Sequence, residues 1–248
     1  MTTQVALVGG RGNLGRIIHA VIDDLDGFEV RTVLGSDSDL GELAGADLIV
    51  DASTPAVSIE VVRAALELGV NVLVGTSGWS QERISLVRPL QSSARTGVVF
   101  IPNFSLGSAL GSALAAAAAP FFEFAEVVEA HRDTKIDSPS GTAVRTAELM
   151  ADARDAQGPF RAPHADQRAR GEQVSGIPVH SLRRPGVVAR QEAVLSGPGE
   201  TLTIVHDTID SAAAYTPGIR LALPFARDSS DLVVGLENIV DIGIRPRG

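Results

Sequence analysis

The densest group of residues able to do chemistry lies between positions 131 and 142. Lys135 is the only lysine in a chain with twenty arginines, and it follows His131 by four residues. An ammonium is a compact donor whose pKa shifts readily, and an imidazole exchanges protons near neutral pH. The triplet Ser140-Gly141-Thr142 precedes apolar residues at helical spacing, so it predicts a helix start whose amides can bind an anion. The segment therefore predicts an anion site beside a proton donor.

A glycine-rich turn near the start of the chain predicts a second site. Residues 9–15 read Gly-Gly-Arg-Gly-Asn-Leu-Gly, directly after an apolar stretch at 4–9 and before apolar residues at helical spacing. In a strand-turn-helix unit, such glycines let the backbone approach a pyrophosphate, and the helix start offers amides to it. Three glycines in a tight turn can also serve packing alone. The predicted cofactor contacts are Gly9, Gly10, Arg11, Gly12, Asn13 and Leu14.

The residues that would meet the adenine ribose leave two alternatives open. Asp37, just after the second apolar stretch, would bind ribose hydroxyls and favour NADH. Arg11 or Arg31 would meet a 2′-phosphate and favour NADPH. Asp37 could equally belong to a polar loop with Asp39. The sequence predicts NADH or NADPH without ranking them.

Three further turns follow predicted strands and are expected to line the nicotinamide half of the cofactor site. Ligands of open α/β sheets lie beyond the carboxyl ends of the strands, and each of these turns has that position. Each of the first two could also be an ordinary turn, and the third could be a hinge between domains. The residues concerned are Ser53, then Gly75, Thr76 and Ser77, and finally Ile101, Pro102, Asn103 and Phe104.

The elements that must position these residues alternate in type along the first hundred positions. Short apolar stretches alternate with helical patterns, which predicts an α/β fold with a doubly wound, Rossmann-like parallel sheet. From about residue 106 the pattern changes to an alanine-rich helix and several strands, which predicts an α+β domain with an open, mostly antiparallel sheet. We expect one domain of residues 1–105, completed by 218–248, and a second of residues 106–217. Residues 152–176 are polar and predict a surface loop, and Pro224 is expected to break a helix in the tail.

Composition limits the functional classes. The chain has 248 residues, of which 44% are hydrophobic, and it has no cysteine. Its five histidines lack ligand spacing, so no metal site is expected. The net charge of −9 argues against nucleic acid and membrane surfaces as partners. The absence of a long apolar run and of a secretory signal predicts a cytoplasmic protein.

Taken in order, these motifs resemble the 4-hydroxy-tetrahydrodipicolinate reductase family, also called dihydrodipicolinate reductases. The resemblance spans nearly the whole chain and is closest to the actinobacterial branch. It includes the glycine turn, residues 75–78, residues 102–104 and the segment 131–143, which is similar to the family signature ending in Asp-x-Pro-Ser-Gly-Thr-Ala. It extends to residues 176–181, 199–207 and 216–218. The resemblance implies an NADH- or NADPH-dependent reductase of the lysine and diaminopimelate route, and a homotetramer built through the C-terminal sheets.

The resemblance also assigns roles to particular residues. It implies His131 and Lys135 as catalytic residues, with Ser140, Gly141 and Thr142 binding the substrate. Helix-start amides at 140–142 could seat one carboxylate of a dicarboxylate substrate, and Arg132 or Lys135 could pair with the other. The imidazole of His131 would then donate a proton to the ring that accepts the hydride.

Three positions depart from the family pattern. Arg132 replaces the second histidine of a His-His pair, Ser77 stands where threonine is usual, and Ala52-Ser53 replaces Phe-Thr. A guanidinium is longer than an imidazole and always charged, so the pocket would differ in shape and charge. Two alternatives to the family reaction follow: a paralogue that reduces another cyclic imine or conjugated acid, and a non-catalytic dinucleotide sensor.

Overall fold

The computed structural model describes residues 1–241. The strands are β1 (Thr3–Val8), β2 (Phe28–Leu34), β3 (Leu48–Asp51), β4 (Asn71–Val74), β5 (Val98–Phe100), β6 (Phe124–His131), β7 (Glu172–Val174), β8 (Ile177–Arg183), β9 (Ala189–Gly197), β10 (Glu200–Thr208) and β11 (Leu232–Val234). The helices are α1 (Asn13–Asp23), α2 (Pro55–Leu68), α3 (Gln81–Ala94), α4 (Leu106–Ala118), α5 (Gly141–Ala153) and α6 (Ser211–Asp228). Among the described residues, no helix combines the length and the hydropathy that crossing a membrane requires.

The chain divides into two compact units. The first contains Met1–Phe104 and Tyr215–Val240, and Ser105–Ala214 forms the body of the second. The last residues of the predicted tail, 242–248, lie outside the described part of the chain.

The first unit is built on a six-stranded parallel sheet in the order β11-β5-β4-β3-β1-β2. Every residue of β3 and β5 is buried, as expected for strands that are covered on both faces. The order reverses between β1 and β3, and the carboxyl ends of both strands lie at that point. The predicted Rossmann-like doubly wound sheet is confirmed.

The second unit has a five-stranded sheet in the order β10-β9-β6-β8-β7. Helices α4 and α5 cover one face, where small side chains such as Ala115, Ala143 and Ala147 pack against Val127 and Leu195 in a buried core. Small residues allow the helices to approach the sheet closely, which explains the alanine-rich composition of α4. The prediction of an open, mostly antiparallel sheet is confirmed, with one exception: β6 and β8 run parallel.

Two local predictions are wrong. The segment 152–176 is not only loop, because it contains the strand β7, which pairs with β8. Its three residues are too few and too polar to show the alternation typical of a strand. Pro224 does not break α6, which continues past it to Asp228. Buried apolar residues on this helix, including Ile219 and Leu223, offset the cost of about 3 kcal/mol of an internal proline.

Candidate active site

The glycine turn follows β1 and is shaped by close backbone contacts. Gly9 has φ of +79°, and a Cβ there would lie 2.3 Å from the carbonyl oxygen of Ala52. A Cβ on Gly15 would lie 2.2 Å from the carbonyl oxygen of Gly9. A larger residue at Gly9 would force the turn away from the end of β3, and a larger residue at Gly15 would force the start of α1 away from the turn. The turn is therefore held tightly against the sheet.

Helix α1 begins at this turn without a side-chain cap. Its N-cap residue is Gly12, and no side chain of the described residues accepts a hydrogen bond from its first amides. By contrast, serine side chains cap α3, α4 and α5. Uncapped amides at a helix start carry partial positive charge and bind phosphate. The turn therefore fits a dinucleotide pyrophosphate.

The structure brings together only some of the predicted cofactor-binding residues that follow β4 and β5. A Cβ on Gly75 would lie 2.8 Å from the ring of Phe104 and 3.1 Å from Leu14, so these three predicted residues adjoin. The side chains of Ile101 and Phe104 are buried, which leaves mainly their backbone to meet a ligand. Thr76 is also buried, whereas Ser77 is exposed.

Ser53 has a partner within the first unit. Its hydroxyl donates to the carboxylate of Asp51 over 2.5 Å, and the same carboxylate also accepts from Ser58. Trp79 in turn donates to the Ser58 hydroxyl over 2.8 Å. Sequence reasoning did not identify this buried group, although Asp51 ends an otherwise apolar strand. It fixes the loop after β3 beside the glycine turn.

The three residues that could contact the adenine ribose do not all lie at the same end of the parallel sheet. A Cβ on Gly35, which follows β2, would lie 3.8 Å from the guanidinium of Arg11. Asp37 lies two residues further on, is exposed and accepts a hydrogen bond from Ser36. The guanidinium of Arg31 lies near Gly45, which precedes the amino end of β3. Arg11 and Asp37 are thus near the carboxyl end of β2, and Arg31 is directed elsewhere.

His131 ends β6 in the second unit and is held by a buried carboxylate. Its Nδ1 lies 2.6 Å from Oε2 of Glu129, whose side chain is 0% exposed. Arg183, at the end of β8, donates to both oxygens of Glu129 over 3.0 and 2.8 Å. Ser140 donates its backbone amide to the same carboxylate over 3.2 Å.

These contacts set the charge of Glu129. Burial raises the pKa of this carboxyl, but hydrogen bonds from His131, Arg183 and Ser181 outweigh burial and lower the pKa to about 2. Glu129 is therefore ionised throughout the neutral range. An ionised carboxylate accepts hydrogen bonds only, so the Nδ1 atom of His131 is the donor of the pair.

Lys135 lies in the loop between β6 and α5. Its ammonium donates to both oxygens of Asp137 over 2.7 and 2.8 Å. Arg183 also donates to the carbonyl oxygen of Asp137 over 2.6 Å, so this loop is tied to the carboxylate of Glu129. The backbone carbonyl of Arg132 accepts from the amide of Lys135 over 3.1 Å, but its exposed guanidinium forms no hydrogen bond or ion pair within residues 1–241.

The start of α5 confirms the helix that the sequence predicts after Ser140. The Ser140 hydroxyl accepts from the amide of Ala143 over 3.2 Å and caps the helix. Its own amide is occupied by Glu129, so the amides that remain for a ligand begin at Gly141. A Cβ on Gly141 would meet no atom within 4 Å, so there is space beside this amide. Ser140 thus orders the site, whereas Gly141 lies open to a ligand.

Sequence reasoning missed Glu129, Arg183 and Asp137. Glu129 had a signal: it continues the buried face of β6 after Ala125 and Val127, where an unpaired charge would be costly. No feature of the sequence indicated Arg183, because its proximity to His131 depends on the parallel pairing of β6 with β8. Within the described residues, no cluster of three or more acidic or histidine side chains is arranged to hold a metal ion.

Two family models together cover almost the whole chain. The model described as dihydrodipicolinate reductase, N-terminus, matches residues 3–104, and the corresponding C-terminus model matches residues 107–240. These matches meet near the boundary between the two compact units.

Individual relatives agree with the family models. A protein named 4-hydroxy-tetrahydrodipicolinate reductase from Clavibacter sepedonicus is 53% identical, covering 100% of this chain and 90% of the relative. The protein of the same name from Streptomyces coelicolor is 39% identical, covering 96% of this chain and 98% of the relative. A solved structure, dipicolinate-bound dihydrodipicolinate reductase from Paenisporosarcina sp. TG-14, has a TM-score of 0.73 at 28% identity and covers 97% of this chain and 100% of its own. The chain belongs to the dihydrodipicolinate reductase family.

Proposed function

We propose that this protein reduces 4-hydroxy-tetrahydrodipicolinate to tetrahydrodipicolinate with NADH or NADPH, in lysine and diaminopimelate biosynthesis. The relatives carry the name of this activity. The observation that carries the proposal is the connected group around Glu129. This carboxylate contacts His131 and the start of α5 directly, and it reaches Lys135 through Arg183 and Asp137.

The substrate is a dicarboxylate ring, and the site offers a separate anchor for each carboxylate. The amide of Gly141, with Thr142 beside it, seats one carboxylate at the positive end of α5. The second carboxylate pairs with Lys135 or with Arg132. To pair with the substrate, the ammonium of Lys135 gives up its ion pair with Asp137. Both anchors belong to the second unit, to which we assign substrate binding.

His131 is the proton donor in this reaction. Its Nδ1-H is hydrogen-bonded to Glu129, so the donor is the imidazolium form, which transfers its Nε2 proton to the ring and is left as the neutral Nδ1-H imidazole. The reaction adds one hydride and one proton to the substrate and releases its 4-hydroxyl group as water, so atoms and electrons balance. Lys135 stabilises the negative charge that the ring gains before it is protonated.

The first unit binds the cofactor. Reduced nicotinamide supplies the hydride when bound. The glycine turn and the uncapped start of α1 hold the pyrophosphate, and residues 75–77 and 101–104 adjoin the rest of the cofactor. Arg11 and Asp37 are the candidates for contact with the adenine ribose.

The assembly we propose is a homotetramer formed through the sheet of the second unit. The sheet face opposite α4 and α5 exposes apolar side chains, with Leu182 and Val205 each 47% exposed. Val205→Glu should shift the protein towards smaller species in light scattering. A wild-type monomer at micromolar concentration would contradict the assembly.

A cytoplasmic location, and the absence of nucleic-acid and membrane partners, stay predictions from composition.

The function can be tested directly with the purified protein. Aspartate semialdehyde, pyruvate and the preceding synthase generate the substrate, and oxidation of NADH or NADPH is followed by absorbance. We expect turnover with at least one cofactor, dependent on the synthase. No oxidation of either cofactor would overturn the proposal.

A paralogue acting on another unsaturated acid is the second candidate. Arg132 favours it, because this guanidinium has no partner within the described residues and stands where the family pattern has histidine. The gene should complement a strain that lacks the lysine-pathway reductase if the first proposal is correct. Failure to complement, with cofactor bound normally, would favour the paralogue.

A further inference from the structure

Glu129 occupies a position where a charged residue is costly. It follows Ala125 and Val127 on the face of β6 that packs into the apolar core, and its side chain is 0% exposed. A buried charge needs a complete set of partners to be tolerated. Glu129 has such a set, and His131 is one of its members. The free energy that burial of this carboxylate costs indicates that Glu129 does more than pack in the core.

The geometry points to Glu129 as the positioning residue of His131, and to Arg183 as the residue that holds Glu129 in place. This inference rests on the proposed function. Glu129 accepts a hydrogen bond from Nδ1-H, so this proton stays on Nδ1 and the imidazolium presents its Nε2 proton to the substrate. After proton transfer, the same hydrogen bond prevents the ring from turning over or changing tautomer. Loss of a tautomer-fixing carboxylate in a comparable pair of another enzyme costs about 10⁴-fold in kcat.

Arg183 extends the effect of Glu129 to the lysine loop. One guanidinium nitrogen donates both to Glu129 and to the carbonyl oxygen of Asp137, whose carboxylate binds Lys135. A bidentate guanidinium fixes both distance and angle, which an ammonium cannot do. Arg183 therefore holds the two proposed catalytic side chains in one arrangement, although we place neither Arg183 nor Glu129 in contact with the substrate.

The other face of the same two strands supplies a matched control. Glu126 of β6 accepts from His180 of β8 over 2.8 Å and from Arg170, so it has the same three residue types. Its side chain is 34% exposed. Glu126→Gln removes the same charge from the same strand without changing the proposed catalytic group. It therefore separates a positioning effect from general damage to β6.

The experiment compares Glu129→Gln with Glu126→Gln in the full-length protein at equal oligomeric state. We expect Glu129→Gln to lower kcat by about 100-fold or more, with substrate KM and cofactor Kd within about threefold of wild type. Glu126→Gln should change kcat by less than threefold. Glu129→Asp, which keeps the charge, should recover part of the lost activity. A folded Glu129→Gln enzyme with kcat within threefold of wild type would overturn the inference, as would equal losses in the two variants.

A second measurement does not depend on turnover. The ¹⁵N chemical shifts of the ring nitrogens of His131 should report the Nδ1-H tautomer in the neutral wild-type side chain, and a mixture in Glu129→Gln. If the proposed function is wrong but Glu129 still orients His131, the spectrum should be as described. An Nε2-H tautomer in the wild-type protein would overturn the inference about Glu129 without bearing on the proposed function. If Glu129→Gln does not fold, Arg183→Lys provides the comparison. It should lower kcat about tenfold at unchanged cofactor Kd, and wild-type kcat in this variant would reject the role of Arg183.

Discussion

The proposed cofactor site of the first unit and the proposed catalytic group of the second unit are built from different parts of the polypeptide. The glycine turn of the first unit consists of backbone, shaped by the absence of side chains at Gly9 and Gly15. The group around Glu129 in the second unit consists of side chains from β6, β8 and the loop before α5. A backbone site should fail when one methyl group is added. A side-chain site should respond to each change according to the charge or hydrogen bond that is lost.

The largest expected effect is that of removing the ammonium. Lys135→Ala should lower kcat by about 10³-fold, because the charge that develops on the ring loses its stabilising partner. Cofactor affinity should be preserved, since Lys135 belongs to the second unit. Steady-state kinetics and fluorescence titration with the reduced cofactor check both parts. Lys135→Arg, which keeps the charge but not the compact donor, is the control, and an unchanged kcat in Lys135→Ala would remove Lys135 from the mechanism.

The next effect concerns stability at acid pH. The folded-state pKa of Glu129 is lowered from its ordinary value of 4.5 to about 2, so the contribution of its charge to the free energy of unfolding is fully present above about pH 4.5. It is lost as the pH falls through about 2, and its size is about 3 kcal/mol. Urea unfolding of wild type and Glu129→Gln should therefore differ most near neutral pH, with the difference shrinking below pH 4.5. A pH-independent difference would contradict this account.

Adding a methyl group to the glycine turn should have a smaller but selective effect. Gly15→Ala places a carbon 2.2 Å from the carbonyl oxygen of Gly9, and relief of this clash should cost about 2 kcal/mol and deform the turn. We expect cofactor Kd to rise about tenfold or more, with binding of pyridine-2,6-dicarboxylate unchanged in calorimetry. Gly111→Ala in α4, where the nearest atom would be 3.8 Å away, is the control. An unaltered cofactor Kd in Gly15→Ala would exclude the turn from the cofactor site.

The smallest effect should distinguish the two cofactors. Arg11→Ala should weaken NADPH about fivefold relative to NADH, because its guanidinium lies beside the end of β2. Asp37→Asn should instead weaken the binding of NADH relative to NADPH if this carboxylate binds the ribose hydroxyls. Arg31→Ala is the matched control, since Arg31 lies near Gly45. Equal effects of Arg11→Ala on both cofactors would leave 2′-phosphate recognition unsupported.

Sequence reasoning succeeded where the signal is local. The glycine turn and the helix start at Ser140 lie in continuous segments whose residue types determine the backbone, so both were placed correctly. The parallel sheet was predicted from the alternation of strands and helices. The roles of individual site residues stay predictions.

What could not be predicted depends on strand pairing. Arg183 comes to lie beside His131 only because β6 and β8 pair in parallel register, and no residue near Arg183 encodes that choice. The same holds for Asp137, whose carbonyl oxygen meets Arg183 across the two segments. Strand β7 was missed because its pairing with β8, rather than its own composition, defines it.

The parallel pairing of β6 with β8 also has a consequence for engineering this protein. Two neighbouring strands that run the same way require the chain to travel back along the sheet between them, here through residues 132–176. A cut at the exposed residues near 166 would leave α5 packed in the core but would break the covalent path that joins β6 to β8. Such a cut enzyme should still bind its cofactor but hold Arg183 less firmly beside His131, which makes the segment between α5 and β7 a poor place for new termini.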